Sequence, residues 1–226
     1  MKALRTVIPL LFVSITFLLS SCATSNLSEI AKPQELYRSP QLDFTKVEKC
    51  GVIPVNNYGT EVPEVTDLLA SGLYNDLKQS QKAWEVVSAE DILRKINDLG
   101  IARGYQNYIA DLNTFATAGG ATPLFTSETQ KFFEDLKKKM GIEALLFTSY
   151  NYNEQESLKD FLGLKIKNTT RVVTVYTAIY DISSKRTWWV ARISMQQDAS
   201  DPIQNLVNSI TLAFSQNFGK GTLRQL

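Results

Sequence analysis

Residues 1–22 constrain what the chain can fold into more than any other feature, because they set an apolar segment apart from the rest. Lys2 and Arg5 precede an uncharged, mostly apolar run from Val7 to Leu19. A basic start, a short apolar run and small residues before a cleavage point are typical of a secretory signal peptide. The run is shorter than the roughly 20 apolar residues that a comfortable membrane span requires.

The segment ends in Leu19, Ser20, Ser21 and Cys22. These residues match the aliphatic residue, the two small residues and the cysteine of a lipobox, so the segment resembles a bacterial lipoprotein signal. The resemblance implies cleavage between Ser21 and Cys22 and attachment of lipid, palmitate included, to the Cys22 thiol. An ordinary signal peptide with a chance cysteine and an uncleaved membrane anchor are the alternatives.

The resemblance also implies a location. Ala23 follows the cysteine where many lipoproteins that stay in the inner membrane have Asp. We therefore expect a lipid anchor in the outer membrane, facing the periplasm, with the inner membrane and the cell surface as alternatives.

The signal divides the chain into three predicted parts. Residues 1–21 form the signal peptide, 22–42 the lipidated cysteine with a flexible tether, and 43–226 a periplasmic α/β domain. The tether is predicted from poor periodicity and from Pro33 and Pro40, which discourage regular structure. The remaining part, about 184 residues, suits a single domain with a real core.

Charge and composition exclude several classes of function. The 24 basic and 23 acidic residues balance, so the chain has no net field for nucleic acid or for anionic lipid. No histidine is present, which excludes Ser-His-Asp hydrolases, Cys-His proteases and His-bearing zinc sites. If Cys22 carries lipid, Cys50 is left without a disulfide partner and is expected to be a small buried hydrophobe. We expect no catalytic residue, no metal site and no cofactor.

Periodicity and capping signals predict a mixed α/β fold in a single domain, with a sheet of about five strands flanked by helices. In chain order they predict a strand at 50–55, a helix at 63–80, a strand at 84–87, a helix capped by Ser88, a helix at 105–116, a helix capped by Ser127 and closed by Gly141, a strand at 142–150, a polar loop at 151–163, a hairpin of 164–181 with 187–197, and a C-terminal helix ending at Gly219.

Three stretches carry a likeness to a known group of domains: CGVIPVNNYG followed by VTDLLASGLYNDL, then LKKKMGIEALLFTSY, and then VYTAIYDISSKRTWW. They resemble the periplasmic α/β domain shared by CsgG-type curli secretion lipoproteins, LpoB-type activators of peptidoglycan synthases and the N-terminal domain of TolB. The likeness extends over residues 47–218 and includes no catalytic signature. It implies a non-enzymatic outer-membrane lipoprotein that acts as a binding or assembly module in the cell envelope.

Two other functions are considered beside this one. A subunit of a CsgG-like secretion channel would need membrane-spanning hairpins, and the predicted strand 172–180 is apolar on both faces, as in a core. An enzyme acting on envelope polymers would need convergent carboxylates. The adjacent pairs Glu90-Asp91 and Glu134-Asp135 point in different directions on their helices.

The doublet Trp188-Trp189 is the candidate partner surface, because tryptophan is favoured at interface hot spots. Neighbouring residues of a strand point to opposite faces of the sheet. Either both rings are covered by helices, or one is exposed to a partner. The predicted partners are the membrane, through the N-terminal lipid, and an envelope protein.

Overall fold

The computed structural model describes residues 33–41, 43–117, 123–161 and 164–218. Within them lie seven strands: β1 (Gln34–Arg38), β2 (Lys49–Val52), β3 (Asn56–Asn57), β4 (Glu85–Val87), β5 (Ala144–Phe161), β6 (Leu164–Asp181) and β7 (Arg186–Asp198). The five α-helices of the same ranges are α1 (Pro63–Ser80), α2 (Ala89–Asp98), α3 (Ala102–Thr117), α4 (Ser127–Met140) and α5 (Ile203–Phe218). None of these helices is long and apolar enough to cross a membrane.

The strands form one mixed sheet in the order β1-β7-β6-β5-β2-β4, with β3 added beside β5. Strand β2 runs parallel to β4 and to β5, and β3 also runs parallel to β5. The pairs β1/β7, β5/β6 and β6/β7 are antiparallel. The predicted class, a mixed α/β domain flanked by helices, is confirmed, with seven strands in place of about five.

Helices cover both faces of the sheet. Helices α1 and α5 pack on one face, in a core cluster that includes Leu69, Leu73 and Phe214. The other face is covered by α2, α3 and α4, in a second cluster that includes Tyr108 and Phe133. Each helix directs an apolar stripe with helical spacing at the sheet, which explains why the sequence predicted the helices well.

Gly72 permits the close approach of two helices. A Cβ atom built there would lie 2.8 Å from Cγ2 of Thr211 on α5. The glycine therefore lies against α5.

Capping residues fix two helix starts and one helix end. Ser88 precedes α2, and its side chain accepts a hydrogen bond from the backbone N–H of Asp91. Helix α4 is capped by Thr126, which accepts from Thr129 N–H, so the predicted cap at Ser127 is wrong by one residue. Gly141 ends α4 with a φ of 71°, the left-handed region that favours glycine.

The predicted tether boundary at residue 42 needs correction. Residues Gln34–Arg38 form β1, which pairs with β7, and the N–H of Ser39 donates to the carbonyl of Trp188 at 2.8 Å. The folded domain therefore begins before Asp43. The strand was missed because it is short and lies at the edge of the sheet, where most of its side chains remain partly exposed. The rest of the predicted tether, 22–32, and the signal peptide lie outside the described residues.

The predicted loop at 151–163 is also wrong. Strand β5 continues without a break to Phe161 and pairs residue by residue with β6, from Ala144 opposite Asp181 to Phe161 opposite Leu164. The predicted hairpin of 164–181 with 187–197 is present as β6 and β7. The structure thus has a second, longer hairpin formed by β5 and β6.

Candidate interaction surface

The predicted site residues fall in three places. Ser21 and Cys22 lie outside the described residues. Trp188 and Trp189 lie on β7, and Cys50 lies on β2.

Both rings of the tryptophan doublet are buried. Trp188 is 8% exposed and Trp189 is 2% exposed, and both belong to the core cluster under α1 and α5. The register between β6 and β7 shifts at this point, because Trp189 lies opposite Ile179 whereas Thr187 lies opposite Tyr180. This bulge breaks the alternation that would send the two rings to opposite faces. Of the two alternatives, the structure therefore has the one in which both rings are covered, and neither ring is exposed to a partner.

Trp189 also connects the core to β1. Its indole N–H donates to a carboxylate oxygen of Glu35 at 3.0 Å, and its ring packs edge-on against Phe214 with centroids 6.2 Å apart. The hydrogen bond from Arg38 holds the pKa of Glu35 below its ordinary value, burial opposes this effect, and the indole N–H adds to it. Strand β1 is therefore joined to the core by side chains as well as by backbone pairing.

Cys50 has no exposed surface. Burial raises the pKa of its thiol to about 12, so the thiolate is nearly absent at neutral pH. The side chain acts as a small buried hydrophobe, as the sequence predicts.

Acidic side chains do not gather in a metal-binding arrangement within the part of the chain that the structure describes. There, no group of three or more His, Cys, Asp or Glu residues could hold a metal ion.

The most prominent feature of the described surface is the outer part of the β5–β6 hairpin, residues 153–161 and 164–172, which we call the distal hairpin. Strand β7 accompanies β6 only as far as Thr170, which lies opposite Asp198. Beyond that point the ladder has two strands, from Glu156 opposite Thr169 to Phe161 opposite Leu164. At about 3.3 Å per residue, this two-stranded end projects on the order of 20 Å.

The outer edge of β5 carries no strand beyond Tyr150 in the described ranges. Strand β2 pairs with β5 at Ala144 to Leu146, and β3 pairs with it at Ser149 and Tyr150. From Asn151 to Phe161 the pairing partner of β5 is β6 alone. We call this stretch the open edge.

Two hydrogen bonds show which backbone groups point to that edge. The carbonyl of Leu146 accepts from Ile53 N–H at 2.9 Å, and the carbonyl of Tyr150 accepts from Tyr58 N–H at 3.1 Å. Both carbonyls therefore point away from β6. Because backbone direction alternates along a strand and the β5–β6 register is unbroken, Glu154 and Glu156 point their N–H and C=O groups outward as well.

One face of the distal hairpin carries paired charges. Glu156 and Lys167 form an ion pair of 2.6 Å, and Glu154 lies 3.8 Å from Arg171. The Tyr152 hydroxyl donates to Glu154 at 2.5 Å, and burial together with this carboxylate raises the pKa of Tyr152. The charges on this face are partly neutralised by each other.

The other face carries amides and hydroxyls. Asn151, Thr174 and Ser194 lie side by side on β5, β6 and β7, with the Thr174 and Ser194 hydroxyls 2.9 Å apart. Asn153 and Gln155 continue the row outward and are exposed. The hairpin is thus polar on both faces along most of its length.

The end of the hairpin is apolar. Leu158, Leu164 and Ile166 are 68%, 67% and 50% exposed, and we call these three residues the apolar tip. The other large exposed hydrophobic residues of the described chain, Leu93, Leu124 and Leu212, lie on separate elements. The density of apolar residues in LKDFLGLKI, within an otherwise polar stretch, is the sequence signal that could have drawn attention to this tip.

No protein-family model and no curated protein sequence matches the chain. Solved structures with a similar course of the chain include a PelC dodecamer from Paraburkholderia phytofirmans, with 13% identity, a TM-score of 0.46, and coverage of 82% of this chain and 95% of that chain. Lipoprotein GNA1162 from Neisseria meningitidis has 14% identity and a TM-score of 0.46, with 76% and 99% covered.

The LpoB C-terminal domain from Salmonella enterica is also similar, with 12% identity and a TM-score of 0.34, covering 66% of this chain and 83% of that domain. LpoB-type domains are one of the groups that the three sequence stretches resemble. All of these similarities are distant, and no conclusion about function follows from them.

Proposed function

We propose that the chain is a non-enzymatic lipoprotein, anchored by Cys22 in the outer membrane and facing the periplasm, that binds an envelope protein by strand addition. The anchor is supported by the basic start, the short apolar run and the lipobox-like residues 19–22. The binding mode rests on the open edge of β5 between Asn151 and Phe161.

An open edge of this kind fits an extended peptide segment. A strand edge presents a row of backbone donors and acceptors, and an added strand satisfies them while its side chains supply specificity. The open edge is longer than a typical strand of about 5–6 residues. The occupant we propose is therefore an extended segment of a partner protein, added as a new strand beside β5.

The anchor is tested by metabolic labelling with a fatty acid. Wild-type protein should incorporate the label, whereas Cys22→Ser should remain unlabelled and keep its signal peptide. Cys50→Ser is the matched control, because the buried thiol of Cys50 should have no part in lipid attachment. Labelling that persists in Cys22→Ser contradicts the anchor.

Strand addition is tested with proline. Pro lacks the backbone N–H, so Glu156→Pro removes an outward donor that an added strand would use, while the β5–β6 hydrogen bonds remain. Glu156→Gln is the control for the side chain, since it removes the charge and keeps the N–H. With a photo-crosslinking residue at Asn153, we expect cross-links to one discrete envelope protein that Glu156→Pro abolishes and Glu156→Gln retains.

The location of the cross-linker has its own control. A photo-crosslinking residue at Lys138, on the exposed side of α4, should give no such product. Equal cross-linking with Glu156→Pro and wild type, with folding intact by circular dichroism, would exclude strand addition.

A further inference from the structure

The direction in which the chain enters the sheet bears on the role of the apolar tip. At the start of β1, Gln34 lies opposite Arg192, which lies opposite Tyr176 of β6. At the end of β1, Arg38 lies opposite Trp189, which lies opposite Ile179 of β6. Strand β6 runs from the tip at Leu164 towards the base at Asp181. The chain therefore enters β1 from the same end of the sheet at which the distal hairpin projects.

The segment from Cys22 to the start of β1 and the segment of β6 from the tip to the residue level with that start have the same number of residues. The interval from Cys22 to Gln34 is the same as the interval from Leu164 to Tyr176 on β6. A strand of that length spans about 40 Å. The connection from Gln34 back to Cys22 can also span at most about 40 Å, the reach of a fully extended chain of that length. The reach of this connection therefore does not exceed the distance from β1 to the tip.

The chemistry of the tip suits a shallow contact with lipid. Leu158, Leu164 and Ile166 are exposed, and the neighbouring side chain of Lys165 is exposed as well. Apolar side chains can enter the acyl boundary while lysine amines stay among the headgroups, where anionic lipids attract them. The polar faces and unpaired strand edges behind the tip prevent deeper insertion, because backbone groups without partners are costly in hydrocarbon.

We infer that the apolar tip contacts the surface of the membrane that holds Cys22, as a second contact that orients the domain. This inference rests on the proposed lipidation of Cys22. The tip is then a second point of attachment to the membrane, in addition to the lipid. The occupant of the tip is lipid, rather than a protein groove or a second copy of the chain.

The experiment uses the full lipidated chain in vesicles of phosphatidylethanolamine and phosphatidylglycerol. An environment-sensitive fluorophore is placed on Leu164→Cys at the tip and, as control, on Leu124→Cys. Leu124 is 87% exposed and lies near Tyr180 and Lys185, at the opposite end of β6. Labelling is selective, because the Cys22 thiol is occupied by lipid and Cys50 is buried.

The expected result is a blue shift of the Leu164 fluorophore and several-fold stronger quenching by headgroup-labelled quencher lipids than at Leu124. Adding Leu158→Asp and Ile166→Asp should abolish both signals, and Leu93→Asp with Leu212→Asp, on the helices, should not. Equal signals at Leu164 and Leu124 in protein that carries fatty acid overturn the inference and leave the anchor intact. Absence of fatty acid from the chain overturns the proposed anchor instead.

Two further results would also overturn the inference. If the blue shift appears only at high protein-to-lipid ratio, a second copy occupies the tip. If it requires an added envelope extract, a partner protein does.

Discussion

The two halves of the β5–β6 hairpin differ in burial although they belong to one unbroken ladder. Near the base, Leu145, Leu146 and Ile179 have no exposed surface and are covered by helices on both faces of the sheet. At the far end, Leu158 and Leu164 are mostly exposed. Backbone pairing therefore defines the strands along their whole length, whereas the stability of the domain comes from the base.

This difference separates a stability region from an interaction region. Residues at the base bury apolar surface, and their loss is expected to unfold the domain. Residues of the distal hairpin bury little, so they are free to change without loss of the fold and are available to a partner or a surface.

The largest effect is expected at the tryptophan doublet beside the base. Trp189→Ala should lower the free energy of unfolding by about 3–5 kcal/mol, because it removes a large buried side chain. Trp188→Ala should also destabilise strongly, since its ring lies in the same cluster. Urea unfolding of both variants measures this. A variant that unfolds at the wild-type midpoint would show that its ring is not part of the core.

The same substitution at the two ends of the hairpin gives a direct comparison. Leu146→Ala should cost about 2–5 kcal/mol of unfolding free energy, because Leu146 is fully buried. Leu158→Ala should change it by less than about 0.5 kcal/mol, as is usual for exposed positions. Equal losses in urea unfolding would show that the distal hairpin is packed against another surface.

A smaller effect, with a pH dependence, is expected at the junction of β1. Glu35→Gln should lower the free energy of unfolding by about 1 kcal/mol, because the charge that pairs with Arg38 is lost. The amide oxygen of Gln can still accept the hydrogen bond from the indole N–H of Trp189.

The sign of the pH dependence follows from the direction of the pKa shift. The pKa of Glu35 is lowered in the folded state, so its contribution is present above the ordinary value of 4.5 and is lost as pH falls through the lower folded-state pKa. The difference in thermal stability between wild type and Glu35→Gln should therefore shrink below pH 4.5. A difference that is constant from neutral to acidic pH would show that the charge of Glu35 is not involved.

The smallest effect is expected on the charged face of the distal hairpin. Lys167→Met should change the free energy of unfolding by at most about 1 kcal/mol, because the ion pair with Glu156 is exposed and screened by salt. Any loss should diminish at high ionic strength. A loss well above this size that is insensitive to salt would mean that this face is desolvated.

The sequence predicted those helices and strands whose apolar side chains repeat with the period of the backbone structure. The helix at 63–80 has its apolar residues at helical spacing, and the strand at 142–150 contains the continuous apolar run 144–147. The second half of β5 lacks such a signal. Its residues NYNEQES are polar on both faces, and the stretch is a strand because each residue pairs with β6, an arrangement that periodicity does not encode.

The candidate site was harder to predict than the fold. The exposed-tryptophan alternative assumed regular alternation, and the bulge opposite Ile179 and Tyr180 removes it. The open edge of β5 exists because the pairing of β5 with β2 and β3 extends no farther than Tyr150. Which strands pair, and over what length, is a property of the sheet topology that the local sequence does not show. Strand β1 was missed because a short edge strand with partly exposed side chains looks like a linker.

The burial of Cys50 protects its thiol from oxidation. Oxidation and disulfide exchange both proceed through an accessible thiolate, and this thiol has neither exposed surface nor a pKa that permits ionisation near neutral pH. We therefore expect Cys50 to remain a free thiol in the folded domain in a reducing and in an oxidising compartment. A cell can hold it for long periods in either one without mixed disulfides accumulating at this site.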